Sequence, residues 1–205
     1  INRQAAAQLP IFFDCGDWQG MARAQKIASE FGLKLIFKTD GTGYQRPDVL
    51  KAVASPMIVP INFPEAYDIK DPADAREVPL RRLWQWEAAP TNPAQLDRAG
   101  IQFALTMSDL KKSADFWPML QKALRSGLSP KAALAALTTT PASILGMEQR
   151  MGTLDPGKMA NFFIADDDLF AKEKVTVYES WIAGRRYSIQ DIPDWDPRGQ
   201  YQLQA

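Results

Sequence analysis

The sequence contains no histidine. Imidazole is a frequent zinc ligand and the usual general base near neutral pH, so chemistry of that kind must draw its imidazole from another chain or do without. A single cysteine, Cys15, excludes an intrachain disulfide and an all-cysteine zinc site. No charge of either sign is in surplus: 24 Lys+Arg balance 24 Asp+Glu. That leaves no electrostatic footprint for nucleic acid or an anionic membrane surface, and neither is expected as a partner. No apolar run approaches the ~18 residues that a membrane span requires. A charged segment followed by an apolar one is missing after Ile1. INRQAAAQLP reads instead as the tail of a helix, which leads us to expect a fragment or a processed product.

What is present is an ordinary globular balance, 46% hydrophobic and 23% charged over 205 residues. Short apolar runs alternate with segments of helical spacing. PIFF (Pro10 to Phe13) precedes a helix over Trp18 to Phe31, whose apolar residues Met21, Ala24, Ile27, Ala28 and Phe31 share one face and which Gly32 ends. LKLIF (Leu33 to Phe37), MIVPI (Met57 to Ile61) and IQFALT (Ile101 to Thr106) are three further strands. Pro47 to Ala54, Leu80 to Trp86, the NPAQLDRAG stretch, Ala114 to Ser126 and Pro130 to Thr138 are helices. Ser129-Pro130 is a good N-cap followed by proline at the first helical position. Strands alternating with helices imply parallel pairing, in a barrel or a doubly wound sheet. Both architectures put their chemistry at the carboxyl ends of the strands. Here those ends read Asp14-Cys15, Thr39-Asp40, Ile61-Asn62 and Thr106 to Asp109.

After Gly146 the texture changes. Gly152 to Lys158 (GTLDPGK) is a turn cluster, in which Gly157 is expected at positive φ. Asn161 to Ala165, Lys174 to Ile182 and Arg185 to Ile189 are strands, the last two joined at Ala183-Gly184. We therefore divide the chain at residues 1–147 and 148–205, with a small β subdomain in the second part. The tail from Asp191 carries a turn and one last strand.

The stretch from Gly127 to Phe170 resembles the C-terminal signature of the amidohydrolase superfamily, in the flavour of its imidazolonepropionase-like group. The matching positions are Gly127-Leu128-Ser129, Ala133-Leu134, Thr138, Pro141-Ala142, Leu145-Gly146, Gly152, Pro156-Gly157-Lys158 and Ala160, closed by Trp181 to Gly184. Asn161 stands where that pattern has Asp, and serves the same turn chemistry. The resemblance implies an α/β fold: the second half of a TIM-like (β/α)8 barrel, about strands 5–8, followed by a small β-sandwich subdomain. It implies a parent protein that hydrolyses C–N bonds of a small amide or cyclic amide with metal-bound water. Relatives of this type are often exported bacterial proteins.

The same resemblance exposes a departure. By element order, the family's metal-binding histidine positions fall at Asp14 or Cys15 on the first strand and near Thr39 or Asp40 on the second. Only Asp109, beyond IQFALT, stands where a family acid sits. Asp109 is thus the candidate catalytic residue, against its reading as an N-cap of a helix opened by SDLKK. Asp14, Cys15, Thr39 and Asp40 are candidates for a substrate pocket. Were Asp14, Asp40 and Asp109 to converge they would make an oxygen-rich cation site; apart, they are solvated loop acids. Cys15 reads as an inert thiol, and Asp166-Asp167-Asp168 as a solvated loop. No cofactor is expected on this chain, and a divalent metal such as Zn only if the missing half supplies it.

Half a barrel leaves two open edges. The expected partner is therefore the amino-terminal half of the same fold, or a second copy of the chain. The alternative function is a non-catalytic binding or scaffold module built on the amidohydrolase fold.

Overall fold

The computed structural model describes residues 9–71, 76–172 and 175–191. The expected helix tail over residues 1–8, part of the proline-rich connection around Pro72, the start of the strand at Lys174 and the C-terminal turn and strand lie outside the described residues. The chain forms two compact units, Ile1–Thr153 and Leu154–Ala205.

The first unit is built on a four-stranded, wholly parallel sheet in the order β1 (Ile11–Gly16), β2 (Leu35–Thr39), β3 (Met57–Pro60), β4 (Phe103–Thr106). Parallel neighbours need crossover segments, and the helical spacing seen in the sequence supplies them. Helix α1 (Trp18–Phe31) links β1 to β2, and α2 (Pro47–Val53) links β2 to β3. Helices α3 (Leu80–Ala88) and α4 (Asn92–Arg98) lie between β3 and β4. After β4 come α5 (Phe116–Arg125), α6 (Pro130–Leu137) and α7 (Thr139–Ile144). Capping follows local chemistry. The Asp17 carboxylate accepts from the Gly20 amide at 2.8 Å to start α1, and Gly32 ends it in the left-handed region at φ 64°. The Ser129 hydroxyl accepts from the Ala132 amide to start α6.

Strand alternation separates two faces. Phe37, Met57 and Val59 share one face and are fully buried, and each such side chain contributes roughly 1.5–3 kcal/mol of burial. The opposite face carries Phe12 paired with Ile36, and Ile58 paired with Ala104. Ile36 and Ala104 cluster there with Ile144 of α7, and Ile58 packs against them. Strand β1 forms one edge of the sheet and leaves Phe12 56% and Phe13 41% exposed.

The second unit holds an antiparallel sheet of β5 (Phe162–Ala165), β6 (Val177–Ile182) and β7 (Arg185–Ser188). Ala183 (φ 50°) and Gly184 (φ 79°) make the two-residue turn between β6 and β7, both at the positive φ that such hairpins need. The Asn161 side-chain oxygen accepts from the Ala183 amide at 2.7 Å, in the turn between β6 and β7. Glu179 is buried and accepts from the Trp181 indole (2.9 Å) and the Arg186 guanidinium (2.6 Å), which together hold its carboxyl below the usual range. The Asp166 to Asp168 run is a hydrogen-bonded loop, with Asp166 accepting from the Thr176 amide and Asp168 from the Phe170 amide.

Candidate functional site

Position 38 is the fourth residue of β2 and lies in register with Asp14 of β1 and Ile58 of β3. Alternation therefore puts Lys38 on the same face as Ile36, at the carboxyl end of the sheet, with Asp14 beside it. The turn after β4, closed by the Leu110 amide donating to the Met107 carbonyl, brings Asp109 over the same point. Lys38 Nζ donates to Asp109 Oδ1 at 3.1 Å and to Asp14 Oδ2 at 3.4 Å. Lys38 and Asp109 are each about one-third exposed, whereas Asp14 is largely open to solvent. The hydrogen bond that Lys38 donates to Asp109, with the charges of both carboxylates, raises the Lys38 pKa above its ordinary value, so the amine stays an ammonium.

Of the five residues singled out in the sequence, Asp14 and Asp109 meet through Lys38. The other three turn elsewhere. Cys15 sits at the register shift between Asp14 and Gly16, an extra residue in the strand. Its thiol donates to the Lys38 carbonyl at 3.1 Å. Burial pushes the thiol up to about 11, and the carboxylates of Asp14, Asp40 and Asp17 act in the same direction. Thr39 is buried, and its hydroxyl accepts from the Gly41 amide at 3.4 Å. Asp40 accepts from the Thr42 amide (2.9 Å) and hydroxyl (2.6 Å). Asp40 thus does not join Asp14 and Asp109, and the three-acid convergence weighed from the sequence does not form. Nor is Asp109 a helix cap: the segment after it is a turn, and α5 opens only at Phe116.

Asp40 instead borders a cleft of about 440 Å³ together with Asp17, Thr42, Tyr44, Arg81 and Trp84. The cleft lies at the carboxyl ends of β1 and β2, where both carboxylates follow their strands directly.

Sequence reasoning missed Lys38. The signal was a lysine at the end of an otherwise apolar strand, since a charged side chain in such a place needs a partner. Among the described residues no group of three or more His, Cys, Asp and Glu side chains is arranged to hold a metal ion. The strand-end donor set is two carboxylates already bridged by an ammonium, which does not fit a zinc centre of nitrogen and sulfur ligands.

Residues 113–187 match the sequence pattern of the amidohydrolase family. An N-acetylglucosamine-6-phosphate deacetylase of Danio rerio is 43% identical over 61 residues, 30% of this chain and 14% of that protein. Among solved structures, an amidohydrolase from Thermotoga maritima MSB8 superposes with a TM-score of 0.69 at 23% identity, over 89% of this chain and 45% of that one. A prolidase complexed with N-methylphosphonate-L-proline gives 0.59 at 16% identity, over 91% and 47%. A molinate hydrolase gives 0.54 at 16% identity, over 96% and 47%. The chain therefore spans less than half the length of these structures. The parallel sheet with its interleaved helices is the fold they share, and residues 113–187 carry the sequence pattern of the amidohydrolase family.

Proposed function

We propose that this chain is the second half of a (β/α)8 hydrolase barrel, with β1 to β4 as its strands 5–8. In this reading β5 to β7 are part of a small β-sandwich subdomain completed by other residues. The parent protein hydrolyses a C–N bond in a small amide or cyclic amide. The observation that carries the reading is the family pattern at residues 113–187 on an amidohydrolase fold. The fragmentary match to an N-acetylglucosamine-6-phosphate deacetylase supports hydrolysis of an N-acyl group. A metal, where the parent holds one, is bound by residues outside this chain, because the donors at this sheet end do not fit it. Asp14, Lys38 and Asp109 would form one wall of the barrel mouth, and the cleft beside Asp40 would admit substrate.

The partner is the amino-terminal half of the fold, or a second copy of the chain closing the sheet. The test is an assay of the assembled protein against N-acetylated amino sugars, N-acyl amino acids and lactams. Amine release that disappears when the completing half is removed is the expected result. An assembled, folded protein that turns over none of these amides would overturn the reading.

One observation favours a second reading. Lys38 fills the space between the two strand-end carboxylates, as it would in a binding or scaffold module whose hydrolytic site has been lost. Calorimetric binding of a small amide without turnover would decide for it.

A further inference from the structure

The carboxyl end of the sheet carries a cation that is covalently part of the chain. We infer that the Lys38 ammonium is the resident cation of this sheet end, and that by bridging Asp14 and Asp109 it closes the two carboxylates to divalent metal. The inference stands on the cluster itself, whether or not the parent hydrolyses an amide.

Three elements far apart in sequence converge to make the bridge: β1, β2 and the turn after β4. The Nζ lies 3.1 Å from one carboxylate and 3.4 Å from the other. A divalent ion needs carboxylate oxygens at roughly 2.0–2.6 Å. An ion within reach of both carboxylates would therefore sit against the ammonium, and like charges at that separation repel strongly. Neighbouring groups that might complete a coordination shell are engaged elsewhere. The Cys15 thiol points at the Lys38 carbonyl, the Thr39 hydroxyl is held by the Gly41 amide, and Asp40 is held by Thr42. A lysine side chain is an ammonium throughout the neutral range, so the charge stays in place.

The experiment is a Mn²⁺ titration of the intact protein, assembled with its completing half where that co-purifies, followed by the spin-resonance signal of the free ion. Wild type and Lys38→Arg, which keeps the charge, should show no ion whose affinity depends on Asp109. Lys38→Met keeps the length and removes the charge. It should take up Mn²⁺ at least about tenfold more tightly, a gain of ~1.4 kcal/mol, and should lose that gain when Asp109→Asn is added. An ion bound by wild type that is indifferent to Asp109→Asn belongs to another part of the assembly and agrees with the inference. The inference is overturned by one equivalent of Mn²⁺ bound tightly by wild type and released by Asp109→Asn. It is equally overturned by a folded Lys38→Met protein that titrates like wild type. If Lys38→Met does not fold, the wild-type and Asp109→Asn titrations still decide. No substrate enters the measurement, so its outcome is separate from that of the hydrolase assay.

Discussion

Cys15 shows how far one residue's chemistry is set by its place in a strand. Its thiol lies beside the candidate cluster, where a reactive nucleophile would attract notice, yet three features work against the thiolate. The side chain is half-buried, it donates to the Lys38 carbonyl, and it faces the carboxylates of Asp14, Asp40 and Asp17. A pKa near 11 in place of 9.0 lowers the thiolate fraction at pH 8 by roughly a hundredfold. The higher basicity restores about tenfold in intrinsic nucleophilicity. Iodoacetamide at pH 8 should therefore alkylate Cys15 about tenfold more slowly than it alkylates the unfolded chain. A native rate equal to the unfolded rate would mean that the thiol is not held as described. The linkage has a definite sign. A folded-state pKa above the unfolded one gives a stability contribution that is complete below about pH 9 and lost as pH rises through about 11. Urea midpoints of wild type and Cys15→Ala should accordingly converge across that window.

Among the elements, helix boundaries were the most legible part of the sequence. The spacing of Met21, Ala24, Ala28 and Phe31 between Asp17 and Gly32 fixes α1 at both ends, because cap and periodicity agree. The strands were found in place but their ends were shifted: β1 runs on to Gly16 and β2 to Thr39, since pairing in the sheet extends them past their apolar stretches. Thr39 was singled out because element order set the family's second histidine position near Thr39 or Asp40, and Lys38 was passed over. Which face a strand residue occupies depends on register, and a slip of one residue exchanges the faces. Asp14 and Asp109 were legible as strand-end acids, but the lysine joining them was not, because the bridge exists only once β1, β2 and the turn after β4 are brought together. Glycines show the same division. Gly157 has the expected positive φ of 88°, and a Cβ there would meet nothing within 4 Å. Its replacement by Ala costs only backbone strain, about 1–2 kcal/mol. Gly20 lies inside α1, where the sequence alone shows nothing that crowds it. In the structure a Cβ at Gly20 would overlap the Cys15 carbonyl oxygen, which is backbone and has little room to retreat. Gly20→Ala should therefore destabilise the chain by about 1–3 kcal/mol, at least as much as Gly157→Ala. Urea unfolding of both variants checks the order, and a Gly20→Ala protein as stable as wild type would refute the close approach.

At the scale of the whole molecule, the first unit has a well-buried centre and an unprotected margin. Phe37, Met57, Ile61 and Val59 are fully buried, whereas Leu9 is 68%, Phe12 56% and Phe13 41% exposed along the β1 edge. An edge strand carrying apolar side chains and unpaired backbone groups is a template for another strand, and natural proteins cover or charge such edges. The chain spans 45% of the Thermotoga amidohydrolase whose fold it shares, so more of that fold lies beyond what these residues supply. Each of the exposed phenylalanines forgoes up to roughly 1.5–3 kcal/mol of burial, a sizeable share of the ~5–15 kcal/mol that stabilises a domain. Residues 1–205 alone should therefore self-associate or hold a second polypeptide that covers β1. Sedimentation of the purified chain at micromolar concentration, with mass spectrometry for a co-purifying protein, measures this directly. Adding the amino-terminal half of the fold in trans should convert the associated form to a defined complex. Phe12→Lys should shift the lone chain toward monomer, because a charge on an edge strand opposes pairing. A monodisperse monomer of wild type with a cooperative unfolding transition would show that the β1 edge needs no cover, and with it would fall the argument that this sheet is half of a closed barrel.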